Sequence, residues 1–281
     1  MDTALIRQRF SAASASYDAE AEAQQHIAAH LWALAAPHIA TGAAVLEVGA
    51  GTGLLTRLIL GAQPRSLTVN DLYISPQVHE LVEVSAQDHS GRVQCRAEAS
   101  GQEHPGQELS DKEHPGRERP GRVHYCEGDA EQLDFSGPFD AVLSASTVQW
   151  FADIPAFFAR CAGVLPKGGL LAFSSFLPGN LQEVAELTGV GLTYGSAAQL
   201  QGQLAPHFEL LAMEQSDITL RFASPRHVLL HLRHTGVTGI RSVVWGKNSY
   251  KDFVARYTAR YGNEQGVRLT YRPVYVLAKC K

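Results

Sequence analysis

Three glycines at alternate positions, Gly49, Gly51 and Gly53, follow the apolar run Val45-Leu46-Glu47-Val48 and precede Leu54-Leu55-Thr56-Arg57-Leu58-Ile59-Leu60. The chemistry of such a set is binding. Backbone without Cβ atoms lets a ligand approach closely, and a helix that starts beyond it offers free N–H groups to an anion. Asp71 stands 18 residues beyond Gly53, near the ~20 expected of a carboxylate that accepts hydrogen bonds from ribose hydroxyls. Its neighbour Asn70 is the weaker candidate, because an amide presents a single acceptor oxygen. These residues describe a site for a nucleotide-like ligand. A dinucleotide fingerprint, G-x-G-x-x-G, would need glycine at position 54, where Leu54 stands, so that motif is not matched.

The elements that must hold these residues follow from periodicity. Val45 to Val48 reads as a buried strand and residues 54–60 as a helix, giving strand, glycine loop, helix. Ser66 to Asp71 reads as a second strand that ends in its acid, Val123 to Cys126 as a third and Phe139 to Ser144 as a fourth. The turn Leu165-Pro166-Lys167-Gly168-Gly169 leads into a strand from Leu170 to Phe176. Residues 2–39 have helical, Ala-rich spacing with an apolar stripe at Ile27, Leu31 and Leu34. Phe10 and Tyr17 precede that stripe; either both anchor the N-terminal helix on the core, or Tyr17 covers the ligand mouth. Ser85 to Arg122 breaks the pattern. It repeats Glu-His-Pro-Gly at 103–106 and 113–116 and buries little apolar surface, so it reads as a surface insertion.

Length and charge set the outer bounds. At 281 residues the chain makes one large domain or two small ones. It contains no apolar run of the ~18 residues that a membrane span needs, and Met1-Asp2-Thr3 does not open a signal peptide; the reading is cytoplasmic. Cys95, Cys126, Cys161 and Cys280 form no C-x-x-C pair, which argues for free thiols and against a zinc site or other metal centre. From Arg221 onward twelve Lys or Arg face only Asp252 and Glu264, whereas the first 220 residues carry 12 basic and 26 acidic side chains. A C-terminal portion so basic either meets an acidic partner or forms a solvated face. Nucleic acid is disfavoured as that partner, since no aromatic-interleaved basic motif is present.

The pattern acid-x-G-x-G-x-G, from Glu47 to Gly53, resembles motif I of the class I S-adenosylmethionine-dependent methyltransferases. Gly128-Asp129-Ala130-Glu131 after the third strand resembles their second motif, in which the Asp accepts from the adenine amino group and the next backbone N–H donates to the ring. The order of the remaining strands agrees. More narrowly, Val148-Gln149-Trp150, Leu232-Arg233-His234-Thr235-Gly236-Val237 and Leu269-Thr270-Tyr271-Arg272-Pro273-Val274-Tyr275 look like the malonyl-acyl-carrier-protein O-methyltransferases of biotin synthesis, the BioC family. The likeness spans the chain except for the insertion. One departure is Ala145, where relatives often carry Asn.

This resemblance implies a single α/β domain with a Rossmann-like class I methyltransferase fold: N-terminal helices over 1–40, a cofactor-binding core over 41–176 with the insertion at 85–122, and C-terminal strands over 177–281 with a basic helical lid near 225–263. The sheet is expected to be mostly parallel and seven-stranded, closed by a final antiparallel strand. The implied cofactor is S-adenosylmethionine, held by Glu47, Gly49, Gly51, Gly53, Asp71, Leu72, Asp129, Ala130 and Ser144. The implied reaction esterifies the free carboxylate of a malonyl thioester on acyl carrier protein. A carboxylate is ionised at neutral pH and needs no general base, and the sequence offers none. Arg233 and Tyr271 are the expected carboxylate donors, with Tyr17 and Gln149 at the mouth and Trp150 as an apolar wall. Arg233 is equally placed by sequence to meet the carrier, and Trp150 to fill core. Arg226, Arg233, Arg241, Lys247 and Lys251 are the expected docking cations for the acidic carrier. A methyltransferase of another small molecule, or a cofactor-binding module without catalysis, remains open at this level.

Overall fold

The computed structural model describes residues 21–88, 96–97, 122–235 and 246–281. Phe10, Tyr17, Arg241, most of the Ser85 to Arg122 stretch and the Lys247 side chain lie outside the described residues. In chain order the elements are α1 (Glu22–Ala35), β1 (Ala44–Val48), α2 (Leu54–Gly61), β2 (Ser66–Asp71), α3 (Pro76–Asp88), β3 (Arg96–Ala97), β4 (Arg122–Glu127), β5 (Ala141–Ser144), α4 (Ile154–Val164) and β6 (Leu170–Phe176). They continue with α5 (Gln182–Thr188), α6 (Ala197–Leu204), β7 (Phe208–Gln215), β8 (Ile218–Phe222), α7 (Pro225–His234), α8 (Lys247–Tyr261), β9 (Gly262–Asn263), β10 (Gly266–Tyr271) and β11 (Pro273–Cys280).

β1 is central because every one of its residues is buried, the signature of a strand covered on both faces. The main sheet runs β3-β4-β2-β1-β5-β6-β11-β7. Its pairings from β3 to β6 are parallel, and β11 lies antiparallel to both β6 and β7. This is the expected seven-stranded, mostly parallel sheet; the two-residue β3, which arises inside the stretch read as an insertion, adds a short rung at the edge. Core residues fill both faces, with Leu67, Val69 and Leu143 on one side and Leu46, Val142 and Phe173 on the other.

The chain leaves β1 toward β2 on one side and returns to β5 on the other. The resulting switch point opens a crevice beyond the C-terminal ends of β1 and β5, where open α/β sheets take their ligands. α1 packs against α2 and β6 and roofs this crevice, presenting Ala23, Gln24, Ile27, Ala28 and Leu31 inward.

A second, antiparallel sheet, β8-β10-β9, was not foreseen from the sequence. α7 and α8 stand between β8 and β9, and α8 packs on α5, α7 and β10. The unit is fixed by Glu183 of α5, whose fully buried carboxylate accepts from Thr270 N at 3.1 Å and Thr270 Oγ1 at 2.7 Å and lies 3.5 Å from Arg268 Nε. Asn180 accepts from Arg272 N at 2.9 Å. These bonds hold the corner between β10 and β11, and with it Tyr271, over the crevice. No helix among the described residues is long and apolar enough to cross a membrane.

Candidate functional site

The crevice is a cavity of about 130 Å³, far beyond the ~10–15 Å³ that admits one water. Gly49, Gly51, Asp71, Leu72, Asp129 and Ala130 all line it. The loop is shaped by conformation: Gly49, Gly51 and Gly53 have φ of 76°, 59° and 94°, in the left-handed region that residues with a Cβ adopt at a cost. A Cβ on Gly49 would collide with the Thr147 side chain, whereas one on Gly51 would meet open space. Gly49 is therefore needed for packing, and Gly51 keeps its face of the cavity clear.

The loop is tied down from β2. Gly49 N and Ala50 N donate to the Asn70 carbonyl at 2.8 and 3.1 Å, and Asn70 Nδ2 donates to the carbonyls of Cys126 and Gly128. Asn70, the weaker ribose candidate, thus braces the loops around the site. Asp71 Oδ2 accepts from Gly51 N at 2.8 Å and Oδ1 from Tyr73 N at 3.2 Å. Burial raises the Asp71 pKa, and these backbone donors oppose the rise. Asp129 sits at the end of β4 in a turn where Oδ1 accepts from Glu131 N at 2.9 Å.

Three expected cofactor residues sit elsewhere: Gly53, whose Cβ position faces Leu81 and Val78 of α3 rather than the cavity, and the two side chains Glu47 and Ser144. Glu47 is fully buried beneath the loop and does not line the cavity. Its Oε2 accepts from Thr56 Oγ1 at 2.7 Å, while Oε1 has no partner. Burial pushes its pKa up to about 8, opposed by the Thr56 bond and reinforced by the Asp71 charge. As a neutral acid it fastens α2 to β1. Ser144 is also fully buried, and its hydroxyl donates to the Val48 carbonyl at 2.9 Å, joining β5 to β1.

A second cavity adjoins the first, and Gln24, Ser146 and Trp150 line both. The second is completed by Gln149, Phe176, Asn180, Leu192, Tyr194, Thr235 and Tyr271. Ser146 has φ of 54°, a strained conformation for a residue with a side chain. Gln24 Oε1, Ser146 Oγ and Gln149 Oε1 are buried without a hydrogen-bond partner, an arrangement that costs free energy unless a ligand satisfies it. Tyr271 Oη is joined to His231 Nε2 at 2.8 Å. Asn180 Nδ2 donates to Tyr194 Oη at 2.8 Å.

Arg233, the expected carboxylate partner, is exposed on α7 and lines neither cavity. The reason is helical geometry. Val228, His231, Leu232 and Thr235 are the buried positions, at spacings of i, i+3, i+4 and i+7, and Arg233 falls on the opposite face.

The Methyltransferase domain family matches residues 90–173. In three dimensions the chain is similar to a putative methyltransferase of Bacillus halodurans, with TM-score 0.55 and 16% identity over 90% of this chain and 97% of that one, a likeness of fold. Proteins named malonyl-[acyl-carrier protein] O-methyltransferase are much nearer in sequence. That of Chlorobium luteolum is 36% identical over 98% of this chain and 94% of its own length, and that of Bacteroides helcogenes 33% identical over the full length of both. The chain belongs to the malonyl-[acyl-carrier protein] O-methyltransferase family.

Within that family assignment, the crevice suits S-adenosylmethionine on this chain's own geometry: Gly51 leaves open space, Asp71 turns a carboxylate to the wall, and the first cavity connects to a second. Sequence reasoning missed Gln24, Ser146, Asn180 and Tyr194. Gln24 carried a signal, being polar on the same buried face as Ile27 and Leu31. Ser146 carried none, since only its backbone conformation sets it apart.

Proposed function

We propose that the protein transfers a methyl group from S-adenosylmethionine to the free carboxylate of a malonyl thioester carried by an acyl carrier protein, the reaction for which its relatives are named. The observation that supports this reading best is the composition of the second cavity. Its lining is aromatic, amide and hydroxyl with one aliphatic side chain, Leu192, and has no Asp, Glu, His, Lys or Arg among the described residues. A wall that presents no carboxylate, imidazole or amine of its own suits an acceptor that is already ionised.

When bound, the cofactor would supply an electrophilic sulfonium methyl to the ionised carboxylate oxygen and leave as the neutral thioether, chemistry that calls for no proton transfer. This chain's residues bind and orient. Asp71 would accept from the ribose hydroxyls, Asp129, Ala130 and Leu72 would hold the adenine, and the glycine loop that begins at Gly49 and Gly51 would receive the methionine end. At the junction, the Ser146 hydroxyl donates to the acceptor carboxylate. Gln24 and Gln149 border that position, and their amides fix its polarity. Tyr271, held by His231, and Tyr194 close the far wall, and Trp150 excludes water between the cavities. Positioning of this kind is worth about 7–11 kcal/mol when the reacting atoms are well aligned. α7, α8 and the second sheet form the lid over the acyl cavity.

The test is incubation with methyl-labelled S-adenosylmethionine and, in parallel, malonyl-carrier, malonyl-coenzyme A and acetyl-carrier, reading base-labile methyl ester. Labelling of the malonyl substrates alone is expected. Tight cofactor binding without labelling of any malonyl thioester would overturn the reading.

A further inference from the structure

The basic C-terminal portion is not uniformly available to a partner. Arg256 is paired with Asp252, Arg260 with Glu186, Arg268 with Glu183 and Arg272 with Asp217. These cations are spent within the fold. Arg226 and Lys251 differ: both are exposed and neither has an acidic partner among the described residues. They stand on the rim of one groove, between the start of α7 and the first turns of α8, whose lining includes Pro225, Tyr250, Val254 and Ala255. An apolar floor between two unpaired cations is a surface of mixed character, complementary to an acidic partner that presents an aliphatic side chain among its carboxylates.

The position of the groove adds a second argument. α7 begins at Pro225 in the groove and ends beside Thr235, which lines the acyl cavity. At 1.5 Å per residue the two ends of α7 are about 15 Å apart. A substrate delivered on a long, flexible arm has this separation between the body that docks and the group that reacts.

We propose that the Arg226–Lys251 groove is the seat of the acidic carrier protein, gripping the carrier's body while its arm runs along α7 to the acyl cavity. This rests on the proposed reaction and goes beyond it by assigning the docking surface to two cations out of the basic set. Carboxylates of the carrier meet Arg226 and Lys251, and one aliphatic side chain lies over Pro225, Val254 and Ala255. Arg233 on the same helix contributes to the field without lining the groove.

The experiment compares wild type, the double variant Arg226→Ala/Lys251→Ala, and Lys167→Glu, which changes net charge equally at an exposed turn before β6. Each is assayed with malonyl-carrier and with malonyl-coenzyme A, and the Kd for the unloaded carrier protein is measured separately. In the double variant, KM for malonyl-carrier and Kd for the carrier are expected to rise about ten-fold, as rim charges do. Its kcat, and its kinetics with malonyl-coenzyme A, stay at wild-type values, and Lys167→Glu behaves as wild type. Unchanged carrier Kd in the double variant, or an equal rise in Lys167→Glu, would overturn the groove while leaving the reaction standing. A wild type that binds carrier through these residues but methylates no malonyl thioester would uphold the groove and sink the reaction.

Discussion

Glu47 gives the structure its sharpest pH signature. Its side chain has no exposure, one oxygen is held by Thr56 and the other by nothing, and its pKa is pushed from the ordinary 4.5 up to about 8. Between those values the folded chain keeps a proton that the unfolded chain releases. The unfolded state therefore binds fewer protons, and stability must fall as pH rises across that window. At about 1.36 kcal/mol per pH unit, the interval from 4.5 to about 8 corresponds to a loss of about 5 kcal/mol at most, complete once pH passes the folded value. Glu47→Gln removes the titration while keeping the shape and the acceptor for Thr56. Urea unfolding of the cofactor-free protein at half-unit steps from pH 5 to 9 measures the effect. At pH 5 the variant should equal wild type or fall about 1 kcal/mol below it, because the amide N–H groups replace an orphan oxygen. At pH 8.5 it should be the more stable by several kcal/mol. Parallel stability profiles for the two proteins would refute the reasoning, since they would mean that Glu47 is ionised in the fold throughout.

Other outcomes follow from the same geometry. Gly49→Ala should destabilise by about 2–4 kcal/mol, combining the left-handed backbone with the overlap on Thr147; thermal unfolding checks this, and Thr147→Gly in the same chain should recover part of it. Ser146→Ala should lower kcat/KM for malonyl thioesters about ten-fold or more while leaving the Kd for S-adenosylmethionine within two-fold, by calorimetry and initial rates; equal damage to both would remove the hydroxyl from the acceptor's side. Arg233→Ala should keep wild-type kcat/KM with malonyl-coenzyme A, because the guanidinium lies on the outer face of α7; a large loss there would put it back in the acyl cavity.

The nucleotide half of the site was legible because its determinants are local. The alternate glycines, the apolar run before them and the acid at the end of β2 lie within 25 residues, from Glu47 to Asp71, and β2 and β6 begin and end where periodicity puts them. The direction of a side chain was harder to read. Glu47 and Ser144 belong to motifs that face the ligand, yet strand alternation and tight packing turn both toward neighbouring backbone and helix. Arg233 was readable: its helix buries positions spaced at 3 and 4, and it is not among them. The second sheet was not readable, because β8 and β10 pair across more than 40 residues, Leu220 opposite Leu269, and β propensity depends on neighbours that only the fold supplies. The acyl cavity draws on α1, the segment after β5, the approach to α6, α7 and β10, so no single stretch carries its pattern.

β11 sits between β6 and β7, with registers running from Pro273 opposite Phe176 to Cys280 opposite Phe208. During synthesis, the strands from β1 to β6 emerge in an order that lets them associate as they come. β7 does not: its hydrogen-bonding partner is β11, with Gln215 opposite Val274 and Phe208 opposite Cys280 far later in the chain. The ribosome therefore exposes a half-built sheet whose β6 edge waits, its backbone groups unpaired on that side, until the last strand slots in. The nucleotide crevice can form early; the acyl cavity, which needs the β10–β11 corner, is assembled last. A nascent chain of this protein would thus acquire its affinity for the small ligand before it acquires the means to act on its acceptor.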